Sequence, residues 1–311
     1  MNQPLPPAAA LFATPAVKVT HRDDGATLVQ NPIPLEPYAR CVGEYLEYWA
    51  EHAPDRPFML ERSPAGLWVG VTYRQALDKV HRIGSWLLKL GLRPGQPVCV
   101  LSDNQVNHGV LMLAAMHVGI PYSGISPAYS LLSQDHAKLK NLVQRINPGV
   151  IYVGGAGRFK AALRAIDGLH GAQLVVADED ELPNAEALHF SDMLVEADMA
   201  AVHKAYAAIT PDTVAKILFT SGSTGYPKGW STRSACCVPV FRPSDRSGRF
   251  WPNSRRCCLI GCPGITRLGA IIISTLFWAM AARFILMVAS RFPACSTPRS
   301  TTCAKWLPRC I

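Results

Sequence analysis

An α/β fold with parallel sheets covered by helices is predicted for residues 1–229, and three observations predict it. Apolar runs of strand length recur without period-2 alternation, helical periodicities stand between them, and a serine- and glycine-rich loop follows the last such run. Strands that are apolar at successive positions need cover on both faces, which a parallel sheet between two helical layers supplies.

The elements can be justified in chain order. "EYLEYWAEHAPDRP" (44–57) begins helical and stops near Pro54, since a proline disfavours helical backbone at the residue before it. "LWVGV" (67–71) reads as a strand that leads into Thr72. Thr72 and Gln75 then have capping-box spacing, in which each side chain satisfies a free backbone donor of the other. Behind them Leu77, Val80, Ile83 and Leu87 recur at helical steps, and Gly91 followed by Pro94 ends the helix. "PVCVLSD" (97–103) is a buried strand, followed by an apolar helix across "HGVLMLAAMHVGI" (108–120). The unit repeats as "GVIYVGG" (149–155), the helix "FKAALRAIDGL" (159–169), and "AQLVVAD" (172–178). "VAKILF" (214–219) is the last strand of this kind.

Composition divides the chain just after that strand. Residues 230–311 hold eleven arginines and Lys305 against one acid, Asp245, a net +11. Residues 1–229 hold 19 basic and 21 acidic residues, a net −2. Eight of the ten cysteines fall in the tail, and all nine tyrosines and nine histidines precede it. The overall basic balance would point to nucleic acid or an anionic membrane, but it belongs to the tail alone, so no nucleic-acid partner is predicted. With only Cys41 and Cys99 before residue 230, a reducing, cytoplasmic setting without a disulfide framework is expected. "MNQPLPPAAALFATP" lacks the basic start and long apolar core of a signal peptide. Two regions follow: residues 1–229, with the composition of an ordinary globular protein, and a basic, Cys-rich tail at 230–311.

The loop from Thr220 to Gly229, at the end of a buried strand, is the candidate site. Open parallel sheets bind ligands where strand ends meet loops. Gly222, Gly225 and Gly229 permit tight turns and close approach of backbone N–H groups. Thr220, Ser221, Ser223 and Thr224 add hydroxyls, and Lys228 adds a mobile positive charge, a donor set suited to a polyphosphate. A flexible linker would need neither the buried strand nor the Pro-Lys-Gly ending. Pro227 before the lysine and Gly229 after it exclude a Walker A loop.

"FTSGSTGYPKG" (219–229) resembles the signature loop of the AMP-forming acyl-CoA synthetase (adenylate-forming) superfamily. "VTYRQALDKVHRIGSWLLKLGLRPGQPVCVLSDN" and "AAMHVGIPYSGISPAYS" resemble its upstream blocks. "NPIPLEPYARCVGEYLEYWAEHAPDRPFMLER" and "SPAYSLLSQDHAKLKNL" are most similar to bacterial feruloyl-CoA synthetases. The resemblance implies that residues 1–229 are the N-terminal part of the large adenylate-forming domain. It implies a carboxylate substrate, ferulate or a relative, with ATP, Mg2+ and coenzyme A. The carboxylate attacks the α-phosphorus of ATP, releasing pyrophosphate, and the thiolate of coenzyme A then displaces AMP. Thr220, Ser221, Gly222, Ser223, Thr224, Gly225 and Lys228 would hold the phosphates, with Lys228 opposite the departing pyrophosphate. Other aryl- or fatty-acyl-CoA synthetases are the alternative within the superfamily.

Several other features receive plainer readings. His108 and His117 lie on an apolar helical pattern and are expected to be packing or surface residues. "ADEDEL" (177–182) is expected to be a solvated acidic turn, without the spacing of a calcium loop. Cys236, Cys237, Cys257, Cys258 and Cys262 lack Cys-x-x-Cys geometry, and no residue is assigned as a metal ligand.

The apolar run 268–290, interrupted by Arg283, is long enough to span a bilayer, which leaves a membrane-anchored, non-enzymatic protein as the competing class. A shifted reading frame explains the tail better. When the last nucleotide of each codon is joined to the first two of the next, the tail permits VVNTQRMLCA after Gly229. From 259 to 275 it permits DWLPWNHTFGGNHNFN. Both strings resemble the expected continuation of a feruloyl-CoA synthetase. The tail is therefore expected not to be natively folded, and the chain as written to be inactive.

Overall fold

The computed structural model describes residues 17–30, 32, 39–63, 65–220, 228–237, 257–260 and 283–286. Strands β1 (Lys18–His21) and β2 (Thr27–Gln30) form an exposed antiparallel hairpin. Helix α1 (Val42–His52) ends before Ala53, whose φ of −145° has left the helical region ahead of Pro54. Strands β3 (Pro57–Arg62) and β4 (Trp68–Thr72) pair antiparallel. Gly70 is required there: a Cβ at that position would lie 2.0 Å from the Met59 carbonyl oxygen across the ladder.

Helix α2 (Tyr73–Lys89) opens with the predicted capping box. The Gln75 N–H donates to Thr72 Oγ1 at 3.3 Å, and the Thr72 N–H donates to Gln75 Oε1 at 2.9 Å. Its Val80, Ile83 and Leu87 are fully buried, while Leu77 is partly buried against the same core. Full burial of such a side chain stabilises by about 2 kcal/mol. Gly91 takes the left-handed φ of 65° just past the helix, as its placement predicts.

The main body follows. Strand β5 (Val98–Leu101) leads through helix α3 (Val106–His117) to β6 (Tyr122–Gly124). Helices α4 (Pro127–Leu131) and α5 (Ala137–Ile146) precede β7 (Val150–Val153), helix α6 (Ala156–Ile166) and β8 (Gln173–Val176). Then come β9 (Leu188–His189), a 3-10 turn over Phe190–Met193, α7 (Met199–Ala207) and β10 (Val214–Thr220). Strand β11 (Lys228–Arg233), the short α8 (Ser234–Cys237), β12 (Cys257–Ile260) and β13 (Arg283–Leu286) complete the described elements.

Seven strands form one sheet in the order β11-β10-β6-β5-β7-β8-β9, parallel throughout except for the β10–β11 pair. The predicted cover on both faces is visible residue by residue. Val98 and Val100 of β5, with Val150 and Tyr152 of β7, enter a core shared with α1, α2 and α3. Cys99 and Leu101, with Ile151 and Val153, enter the opposite core with α5 and α6. The β5-to-β6 and β7-to-β8 crossovers thus use opposite faces, so the loops after β5 and β7 part from each other at a topological switch point.

At that point the sheet holds an anion of its own. Asp180 Oδ2 accepts the N–H groups of Gly155 and Ala156, each at 2.8 Å, at the start of α6. Asp178 accepts the Ser191 N–H at 2.7 Å. The acidic turn expected to be merely solvated therefore caps two elements, a role its sequence spacing does not disclose.

Strands β12 and β13 extend β3 into a second sheet, ordered β12-β13-β3-β4, in which β12, β13 and β3 run parallel. The expectation that the tail is not natively folded falls, for most of the tail's length, outside the described residues. So does most of the 268–290 run, whose described part, Arg283–Leu286, is a strand. Among the described residues no helix is long and apolar enough to cross a membrane.

Candidate functional site

Strand β10 carries the candidate loop and is held on both sides. It pairs parallel with β6 through Lys216 and Tyr122, and the Ser123 hydroxyl donates to the Ile217 carbonyl at 3.1 Å. On its other side β10 forms an antiparallel hairpin with β11, from Val214 opposite Arg233 to Thr220 opposite Lys228. Thr220 and Lys228, both predicted site residues, are thus Cα partners at the mouth of the hairpin. The loop between them starts at the C-terminal end of a parallel strand, where open sheets place their ligands. Ser221, Gly222, Ser223, Thr224 and Gly225 lie outside the described residues.

Gly229 has a function that differs from the predicted turn. It lies within β11 as the Cα partner of Phe219, and a Cβ there would come within 3.1 Å of the Phe219 ring. The glycine lets that ring lie across the second strand. Phe219 itself packs against the core formed with α5 and α6, which anchors the strand end that feeds the loop.

Lys216, which sequence reasoning did not single out, is 2% exposed on β10. Burial lowers its pKa from the ordinary lysine value, with Cys237 acting in the opposite sense. Its position within an apolar strand could have flagged it, since a buried lysine needs a compensating environment.

His108, expected to pack, belongs to a polar network beneath the sheet. Its Nδ1 lies 2.9 Å from the Ser102 hydroxyl and 3.1 Å from the Asp103 carbonyl, and its Nε2 meets the Tyr122 hydroxyl. With the proton on Nδ1 facing the carbonyl, Nε2 accepts from the tyrosine. This network links the end of β5 to β6, the strand beside β10. Of the five cysteines weighed for zinc, Cys237 is buried at the end of the short α8.

The family described as AMP-binding enzyme matches residues 46–235, more than half of the chain, from within α1 through the hairpin. The chain belongs to the AMP-binding enzyme family. This assigns the hairpin loop to the family's domain, and other comparisons agree on the fold. The 4-coumarate–CoA ligase 2 of Oryza sativa subsp. japonica is 30% identical over 193 residues, 60% of this chain and 32% of the ligase. The inhibitor-bound N-terminal domain of FACL13 from Mycobacterium tuberculosis superimposes with a TM-score of 0.61. It is 19% identical, and the match covers 80% of this chain and 57% of that one. A fatty acyl-adenylate ligase from L. pneumophila, solved in complex with acyl adenylate and pyrophosphate, gives a TM-score of 0.57 at 17% identity. That match covers 80% of this chain and 40% of the ligase. The chain thus spans about a third of the coumarate ligase and a small fraction of the long peptide synthetases it also matches.

Proposed function

We propose that residues 1–229 of this AMP-binding family chain are the phosphate-holding part of an ATP-dependent, AMP-forming carboxylate–CoA ligase. One observation carries the reading. A loop rich in hydroxyls and glycines is closed by the pairing of Thr220 with Lys228, at the C-terminal end of a buried parallel strand. Those donors suit the phosphates of ATP, which brings Mg2+ with it and supplies the electrophilic α-phosphorus. A carboxylate oxygen bonds to that phosphorus as its bond to the pyrophosphate oxygen breaks. The backbone N–H groups and hydroxyls of the loop stabilise the charge that develops on pyrophosphate, and Lys228 opposes it directly. A loop hinged on two paired residues can also close over nucleotide and reopen for product. Coenzyme A then takes the acyl group and AMP leaves.

The carboxylate we propose is ferulate or another hydroxycinnamate. The upstream blocks resemble feruloyl-CoA synthetases, and a relative at 30% identity is a 4-coumarate–CoA ligase. We propose further that the frame changes after Gly229, and that the chain as written lacks activity because residues 230–311 replace the rest of the nucleotide and acyl sites. Sequencing the gene across codon 229 tests the frame. An uninterrupted frame, supported by peptides from the tail, would reject it. The substrate is tested on frame-corrected protein, by thioester formation with ferulate, caffeate, benzoate and acetate side by side. Preference for the hydroxycinnamates is expected. Preference for acetate or a fatty acid would remove the subfamily and leave the ligase.

A further inference from the structure

Three helices on one face of the main sheet bring together Glu47 of α1, His81 of α2 and His117 of α3. One ligand atom from each lies within 4.8 Å of the other two. His117 is 1% exposed, and neither of its ring nitrogens has a hydrogen-bond partner; the same is true of His81 Nε2. The His117 Nε2 faces Glu47 Oε1 at 3.9 Å, while Nδ1 lies over Gly43, where a Cβ would approach it to 2.9 Å. The ring is held in this orientation by Tyr206 of α7, stacked on it with centroids 4.2 Å apart. Buried polar atoms are normally paired, so the unpartnered nitrogens call for a ligand that accepts an electron pair.

We infer that Glu47, His81 and His117 form a binding site for a divalent transition metal, with Zn2+ the ion it fits. Two imidazoles and a carboxylate are a borderline-soft set suited to zinc, and three protein ligands leave a fourth position for water. Tetrahedral zinc with bonds of about 2.1 Å separates neighbouring ligand atoms by about 3.4 Å, so the three side chains must draw in by about 1 Å. Glu47 can do so, because its side chain is 38% exposed and lies on the outer side of the cluster. Burial also keeps both imidazoles in the neutral form that coordinates, lowering the pKa of His81 and that of His117, the latter to about 3. Around the cluster stand Asp78 on α2, His203 of α7 with its ring 6.4 Å from that of His81, and Arg40, which lies over the Tyr206 ring at 4.9 Å and pairs with Glu44. One carboxylate and a dication leave a single positive charge, which that pairing accommodates.

The site is remote from the phosphate loop. His117 is the last residue of α3, a helix that starts from the C-terminal end of β5 and returns to the N-terminal end of the adjacent parallel strand β6. Zinc there would fasten α1, α2 and α3 together rather than take part in phosphate chemistry. The inference is therefore independent of the proposed ligase activity.

Chelator-treated full-length chain titrated with Co2+ as a zinc surrogate tests it. One Co2+ per chain is expected, with the visible absorption of a four-coordinate nitrogen and oxygen site, displaced by Zn2+. Saturating Zn2+ is expected to raise the melting midpoint by about 4 °C or more. Both signals should disappear in Glu47→Gln and in His81→Gln, two variants at half-buried positions that leave the buried His117 ring in place. Absence of stoichiometric Co2+ in the parent chain would overturn the inference. So would a thiolate-type spectrum that both variants retain, because it would place the metal on tail cysteines.

Discussion

At the scale of single residues, the proposed function turns on Lys228, whose backbone pairs with Thr220 across the loop. In a frame-corrected protein, Lys228→Ala is expected to slow carboxylate-dependent ATP–pyrophosphate exchange roughly a hundredfold if the proposed role holds, because the positive charge proposed to oppose pyrophosphate is lost. Unchanged exchange would remove the lysine from the chemistry. Arg40 supports a different kind of prediction. Its guanidinium donates to the carbonyls of Tyr206, Ala207 and Ile209 at 3.0 to 3.2 Å and pairs with Glu44 at 3.2 Å. It therefore neutralises the carbonyl end of α7 from the start of α1. Arg40→Ala is expected to destabilise by about 1–3 kcal/mol, read as a lower urea midpoint with an unchanged slope. Lysine at the same position should recover only part of this, because one ammonium cannot reproduce the planar fork.

At the scale of elements, the capping box of α2 and the glycine of β4 give a contrasting pair. Thr72→Ala removes one side of a reciprocal cap and should cost about 1 kcal/mol by chemical denaturation. Gly70→Ala should cost more, at least about 3 kcal/mol, since its Cβ would meet the Met59 carbonyl and the strands would have to part. The first effect was legible in the sequence and the second was not. Capping depends on residues three apart, so Thr72 and Gln75 announce it. The close approach at Gly70 depends on register with a strand whose pairing no local pattern reveals. The same division runs through the rest of the chain. Val80, Ile83 and Leu87 declare their helix face by spacing, and the buried strands declare a sheet covered twice. Arg40 reaching residues 206–209, Asp180 reaching residues 155–156, and the meeting of Glu47, His81 and His117 all arise from helix and loop packing between distant segments. Of the candidate site, the loop was read from its donors. The burial of Lys216 and the Phe219–Gly229 contact required the hairpin itself.

At the scale of the whole molecule, activity is expected to be absent from the 311-residue chain and present after frame correction. Purified parent chain incubated with ATP, coenzyme A and ferulate should form no thioester, while the corrected protein should form it readily. Thioester made by the parent chain would refute the proposed inactivity outright. The sheet also bears on where the proposed nucleotide would dock. Its switch point, between the loops after β5 and β7, has the usual geometry for receiving phosphate. The Asp180 carboxylate already engages the amides there, from a position 25 residues along the same chain. A substrate phosphate arriving at that crevice would face a tethered competitor that diffuses nowhere and is never diluted. Asp180 thus occupies the amides of one of the sheet's mouths. On the proposed reading, that leaves the β10–β11 hairpin, at one end of the strand order, as the mouth open to polyphosphate.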